Sequence, residues 1–187
     1  MGDPTHADTG TQHPRPHVVL IGTMGAGKTT VGRLLAEAWG VGFRDTDADV
    51  EQAAGKAVAD VFVEDGEPVF REMERRAVAA GLVEHDGVLV LGGGSVMDPQ
   101  TRELLHGHRV VFLRVGLRDA IARVGLGASR PMLLGNVRAR TKQLIDRRTP
   151  VYQAAATYVV DTDGRTPEEV ATEVRDLVAG PRDGTRG

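Results

Sequence analysis

Residues 22–29 read Gly-Thr-Met-Gly-Ala-Gly-Lys-Thr, the run with the most specific chemistry in the chain. Glycines at 22, 25 and 27 let the backbone curl until successive N–H groups converge on phosphate oxygens at the start of a helix. Lys28 adds a point charge for the β and γ phosphates, and the Thr29 hydroxyl is placed to ligate Mg²⁺. Background usage does not explain a lysine here, because the chain has three lysines against twenty arginines. A second set of groups follows in Phe43-Arg44-Asp45-Thr46-Asp47. Its two carboxylates project toward the same side if the chain stays extended. Asp45 could then hold the metal directly or through water, and Asp47 could orient or deprotonate a substrate hydroxyl. A solvated turn with a helix cap accounts for Asp47 alone equally well. The third set is Gly92-Gly93-Gly94, where a ligand can touch bare backbone and N–H groups can serve a carboxylate or phosphate. Arg71 and Arg148 would complete an anion clamp if the fold brings them together. Taken alone, each is a solvated charge.

These groups need a scaffold that gathers them. Apolar runs at Val18 to Ile21, Val41 to Phe43, Val88 to Leu91, Val110 to Val115 and Tyr158 to Val160 alternate with helical patterns. That alternation predicts an α/β fold with a parallel sheet covered on both faces. A helix is expected from Lys28 to Trp39, with Val31, Leu34, Leu35 and Ala38 inward and Gly40 as its stop. Asp47 and Glu51 open another, and Val58 to Val63 reads as a short one. Pro68 to Val83 should be long, with Phe70, Met73, Ala77 and Ala80 on one stripe. Gln100 to His106, Leu117 to Val124, Val137 to Arg147 and Pro167 to Val178 complete the set. The segment Gly125 to Gly135 holds four of the residues that hinge a chain, Gly125, Gly127, Pro131 and Gly135, around Arg130. It reads as a mobile lid over the nucleotide. Residues 1–16 and 181–187 are polar and aperiodic and are expected to be disordered tails around one domain, 17–180.

Composition narrows the function. A formal net charge of −3 lacks the basic footprint of a nucleic-acid binder. No apolar run reaches membrane-spanning length and the N-terminus lacks a signal-peptide pattern. The absence of cysteine removes disulfides, thiolate metal sites and cysteine nucleophiles, and suits a cytoplasmic protein. A guanine-reading Asn-Lys-x-Asp loop is impossible, because the only asparagine, Asn136, is followed by Val137. Small kinases therefore remain.

Asp45-Thr46-Asp47, then Gly66-Glu67-x-x-Phe70-Arg71-x-x-Glu74, then Gly92-Gly93-Gly94, then Arg130-Pro131, then Arg147-Arg148-Thr149-Pro150-x-Tyr152, in this order behind the phosphate loop, resemble shikimate kinase. The resemblance covers Val18 to Val178. It implies a monomer with a P-loop kinase fold, nucleoside-monophosphate-kinase-like, with a five-stranded parallel sheet. It also implies transfer of the ATP γ-phosphate to the 3-hydroxyl of shikimate, in aromatic amino-acid biosynthesis. Gly25, Ala26, Gly27, Lys28, Thr29 and Thr30 would hold ATP, with Arg123, Arg165 and Pro167 bordering the adenine. Thr29 would bind Mg²⁺ directly and Asp45 through water. Asp47 would bind the shikimate hydroxyls near the reacting oxygen. Arg71, Arg148 and the backbone of Gly93, between Gly92 and Gly94, would hold the carboxylate, with Glu74 orienting Arg71. Phe62 and Phe70 would wall the ring, and Lys28 and Arg130 would neutralise the migrating phosphoryl group. A gluconate kinase of the same fold should lack the combined Arg71, triple-glycine and Arg148 clamp, and a non-catalytic nucleotide-binding regulator is disfavoured by the joint presence of Lys28, Thr29, Asp45, Asp47 and Arg130.

Overall fold

The computed structural model describes residues 15–123 and 134–180. Five strands, β1 (Val18–Ile21), β2 (Phe43–Asp45), β3 (Val88–Val90), β4 (Val110–Arg114) and β5 (Tyr158–Asp161), form one sheet in the order β2-β3-β1-β4-β5. All neighbouring pairs are parallel. The central strands β1 and β3 are buried along their whole length, which explains why they read as unbroken apolar runs rather than alternating ones.

Helices α1 (Lys28–Trp39) and α8 (Pro167–Ala179) pack together on one face, where Val31, Leu35, Val170, Val174 and Val178 meet Leu20, Val90 and Leu113. The opposite face is covered by α4 (Glu67–Glu84), α5 (Pro99–Leu104) and α7 (Leu134–Ala155), which bring Val78, Leu82 and Tyr152 onto Val19, Leu89 and Phe112. A satellite cluster of Val50, Val61, Phe70 and Ala77 joins α2 (Thr46–Ala54), the short α3 (Val58–Asp60) and a π-helical turn, Val61–Asp65, to α4. The remaining helix, α6 (Leu117–Arg123), follows β4 and precedes α7. Among the described residues no helix is long and apolar enough to cross a membrane.

The caps behave as the sequence requires. Gly40 ends α1 in the left-handed conformation, φ 65°, and donates to Ala36 and Glu37 carbonyls. Thr166 and Glu169 form a reciprocal capping box at the start of α8. Several expectations need correction. The strand expected at Val41 to Phe43 lies at Phe43–Asp45. On α1, Gly32 and Ala36 are buried while Ala38 is exposed. Gly32 is buried because Phe43 lies 2.9 Å from where its Cβ would stand. On α4 the buried stripe runs through Glu74 and Val78, with Met73 and Ala80 only half-buried.

The largest correction is α7, expected to end at Arg147. It continues to Ala155 through Pro150. Proline normally ends a helix because it lacks an N–H and crowds the carbonyl four residues back. Here the Thr149 hydroxyl donates to Ile145 O at 2.8 Å, and beyond the proline Tyr152 is fully buried in the core. Tertiary burial outweighs the local penalty. Arg148 consequently sits inside a helix and not at its end. The tails, apart from Arg15 and Pro16, and most of the expected lid fall outside the described residues.

Candidate active site

The phosphate loop connects β1 to α1 at the carboxyl edge of the sheet, the edge where open α/β folds gather ligands. Gly25 and Gly27 adopt φ values of 82° and 87°, a region other residues enter only under strain. The first bond into α1 runs from Val31 N–H to Gly27 O at 2.9 Å. The amides of Lys28, Thr29 and Thr30 therefore precede the helical ladder as its orphan donors, ready for an anion. Lys28 Nζ donates to Gly22 O at 2.8 Å and Thr23 O at 3.2 Å, folding its charge over the loop. Burial lowers the Lys28 pKa below the ordinary lysine range, with Asp47 and Asp45 opposing the shift and Arg148 adding to it.

Asp45 ends β2 and caps α2. Its Oδ1 accepts from Asp47 N–H at 3.1 Å, and its Oδ2 accepts from the Thr29 hydroxyl at 3.2 Å. The chain thus turns helical at Thr46, one residue before the helix expected from Asp47, and the extended condition for aligning the two carboxylates is not met. The cap is Asp45, and Asp47 lies in the first helical turn. Both carboxylates nevertheless face the same cleft. Burial, with Asp45 beside it, pushes the Asp47 carboxyl up to about 6, while Lys28 pulls the other way.

The glycine run has a position-by-position reason. A Cβ on Gly92 would stand 2.4 Å from Asp47 Oδ1, and one on Gly94 would stand 2.5 Å from Arg71 Nη1. A Cβ on Gly93 would meet only ordinary contacts, the nearest at 3.6 Å; its carbonyl is the group in use. Arg148 Nη1 donates to Gly93 O at 2.8 Å, and the Tyr152 hydroxyl donates to the same oxygen at 2.5 Å. Arg71 donates to the buried Glu74 at 2.6 Å, and Glu74 is held in turn by Ser95 Oγ at 2.9 Å. Two guanidiniums from α4 and α7 are therefore locked around one glycine corner.

Phe70 is buried and Phe62 is 40% exposed, with ring centroids 5.5 Å apart. Both line the same cleft of about 880 Å³ as the phosphate loop, Asp45, Asp47, Arg71, Glu74 and Arg148. Its other end is bounded by Arg123, Arg165 and Pro167. Arg123 is fixed by the hydroxyl and carbonyl of Thr162, at 3.0 and 2.6 Å. Arg165 is fixed by Glu173 at 2.5 Å and by Asp161 O at 3.0 Å. Of the site residues expected from sequence, only Arg130 lies outside the described residues.

Sequence reasoning gave no role to Thr46, Ser95, Thr162 or Tyr152. The Thr46 hydroxyl accepts from Gly92 N–H at 3.0 Å, tying the glycine run to the acid pair. Its place between two aspartates was the only available signal. Ser95, directly after the glycines, and Tyr152, after Arg148, carried motif positions without a legible task.

Among the described residues no three His, Cys, Asp or Glu side chains converge as a protein-only metal site. The Thr29 and Asp45 pair still fits magnesium, which prefers phosphate and water oxygens to a protein cage. With its proton given to Asp45, the Thr29 hydroxyl keeps lone pairs for a cation.

The profile of the shikimate kinase family matches residues 24–179. A shikimate kinase of Frankia casuarinae is 55% identical over 183 residues, 97% of this chain and 81% of its own length. One of Thermobifida fusca is 58% identical over 157 residues, 84% of this chain and 91% of its own length. Among solved structures, shikimate kinase from Acinetobacter baumannii in complex with shikimate superposes with a TM-score of 0.80 at 31% identity, covering 88% of this chain and 93% of that one.

Proposed function

The chain belongs to the shikimate kinase family, and from that premise we propose that its cleft transfers the γ-phosphoryl group of ATP to the 3-hydroxyl of shikimate. It is an ATP-dependent kinase acting on shikimate. The observation that carries the reading is the sharing of one cleft by a phosphate loop and a two-arginine clamp. A phosphoryl transferase must align an acceptor with a phosphate and neutralise charge, and does little covalent chemistry itself.

In this reading the orphan amides of Lys28, Thr29 and Thr30 receive the ATP phosphates, with Gly25, Ala26 and Gly27 shaping the loop. Arg123, Arg165 and Pro167 border the adenine. Arg71 and Arg148 take the shikimate carboxylate beside Gly93, while Phe62 and Phe70 wall the ring. That docking leaves the ring hydroxyls to Asp47, whose carboxylate lies beside Gly92 in the same cleft. Asp47 orients the 3-hydroxyl and accepts its proton, a task matched by a carboxyl whose pKa lies near 6. Lys28 leaves the Gly22 and Thr23 carbonyls to meet the transferring group, and Arg130 joins it on the strength of the sequence resemblance. Magnesium, held by Thr29 directly and by Asp45 through water, would supply charge neutralisation at the phosphates. Every group in this scheme comes from one chain, so the reading calls on no second subunit and accords with the monomer that the resemblance implies.

A gluconate kinase reading is disfavoured because the full clamp of Arg71, Arg148 and the glycine corner is assembled here. A non-catalytic regulator would not need a half-buried carboxylate beside the phosphate loop. ADP formation with shikimate, measured against a panel of hydroxy acids including gluconate, tests the reading. Turnover should be confined to shikimate, and turnover with gluconate alone would overturn it.

A further inference from the structure

Behind the carboxylate clamp, between α4 and α7, runs a second groove of about 810 Å³. It shares Arg71, Gly94, Leu144 and Arg148 with the main cleft, so the clamp is the wall common to both. Its remaining basic residues are Arg75, Arg140 and Arg147. Arg147 belongs to the motif before Thr149-Pro150, and the chemistry above leaves it unused.

The charges in this groove are not balanced. Arg71 is answered by Glu74 and Glu67, and Arg75 by Glu72 and Asp98. Arg140, Arg147 and Arg148 have no such partner among the described residues. The only acid on α7 is Asp146, and Lys142 holds it at 2.5 Å. Arg140 and Arg147 are seven positions apart, two helical turns or roughly 10 Å along one face, and Arg148 follows directly. The exposed end of the groove is therefore joined to the clamp by a track of positive charge, floored by the apolar side chains of Leu144 and Val151. Low-dielectric walls dominated by one sign of charge, here five arginines against Glu67 and Asp98, which are already paired, focus the field and raise the local concentration of the opposite ion. Solvated surface arginines need no such alignment, and these ones lead to the groups that take a carboxylate.

We infer that this groove is an entrance site for the carboxylate of the substrate, with Arg140 and Arg147 as steering residues that capture the anion and pass it to Arg148 and Arg71. The inference rests on the clamp reading above and assigns two further residues to substrate capture. Neither touches the reacting atoms, so they act on second-order capture and leave turnover at saturation alone.

The test is the Arg140→Gln, Arg147→Gln double variant, assayed with shikimate across ionic strength. At about 0.01 M, where the screening length is about 30 Å, kcat/KM for shikimate should fall about 3- to 10-fold. At about 1 M, where it is about 3 Å, the variant should match the wild type. The kcat and the KM for ATP should not change. A control pair, Arg33→Gln with Arg175→Gln, removes the same charge from α1 and α8 across the sheet and should leave the shikimate profile unaltered. An unchanged salt profile in the double variant, a fall in kcat, or an equal loss in the control pair overturns the inference. Failure of the clamp itself would show separately, as unaltered shikimate affinity in Arg71→Ala and Arg148→Ala.

Discussion

The two ends of the cleft are built on different principles. The phosphate end is one continuous stretch from Gly22 to Thr30, whose geometry follows from two left-handed glycines and a helix start. The carboxylate end is assembled from Asp47 on α2, Arg71 and Glu74 on α4, Gly92 to Gly94 after β3, and Arg148 and Tyr152 on α7. The first takes its shape from neighbouring residues, with few ties to distant ones, such as Thr29 to Asp45 and Arg123 to Gly25 O, and is generic to nucleotides. The second exists only when three helices and a loop converge, and in the proposed reading it carries the choice of substrate. Damage at the two ends should therefore differ in kind.

The largest effect is expected at the phosphate end. Lys28→Met should fold and lower kcat about 1000-fold, because a preorganised charge in a closed site acts mainly on the transition state. Near-normal turnover from a folded variant would break the assignment. At the other end, Arg71→Ala and Arg148→Ala should each weaken shikimate binding by about 2 to 5 kcal/mol while sparing ATP. Calorimetric titration of both ligands decides this, and equal losses for both would erase the division between the two ends.

The glycine corner sharpens the comparison further. Gly94→Ala meets Arg71 and should raise the KM for shikimate about tenfold, since small displacements of positioning groups are costly. Gly93→Ala meets only ordinary contacts and should stay within about twofold in steady-state assays. A larger effect at 93 than at 94 would mean that backbone conformation, and not the approach of Arg71, dictates the run.

Asp47 links the two ends through pH. As the proposed base, Asp47 must be ionised, so kcat/KM should rise with pH and level off above about 6, the value to which burial and Asp45 raise this carboxyl. The same shift opposes stability. A folded-state pKa above the unfolded one means that the native protein binds the extra proton, so stability from this group is present below the unfolded pKa and is lost as pH rises through about 6. Asp47→Asn should therefore slow single-turnover phosphoryl transfer yet raise the melting temperature at neutral pH by a few degrees, with about 3 kcal/mol as the upper bound. The gain should shrink toward pH 4, where the wild-type carboxyl is largely protonated. A variant that is both slower and less stable at neutral pH would show that Asp47 serves the fold.

Much of this was legible in the residues themselves. The phosphate loop, the length of α1, the parallel sheet and the membership of Asp47, Arg71 and Arg148 in one site follow from local pattern and motif order. The path of α7 through Pro150 was not legible, because a proline argues for a helix end and only the burial of Tyr152 overrides it. The helix after β2 was legible from Asp47 onward, but its cap was not: the structure gives that place to Asp45. Alternation in an extended chain would aim both carboxylates one way, and the structure achieves the same aim by capping a helix with the first acid and placing the second in its first turn.

The sequence by itself determined the chemistry that this protein offers, a phosphate cradle, an acid pair and a set of arginines, because glycine conformation, helix starts and charge are properties of neighbouring residues. Only the tertiary structure decided which of twenty arginines become a clamp and which acids hold them. It also decided why a side chain at Gly92 or Gly94 would displace Asp47 or Arg71, since contacts between segments distant in the chain arise from packing, and packing is not written in any one stretch.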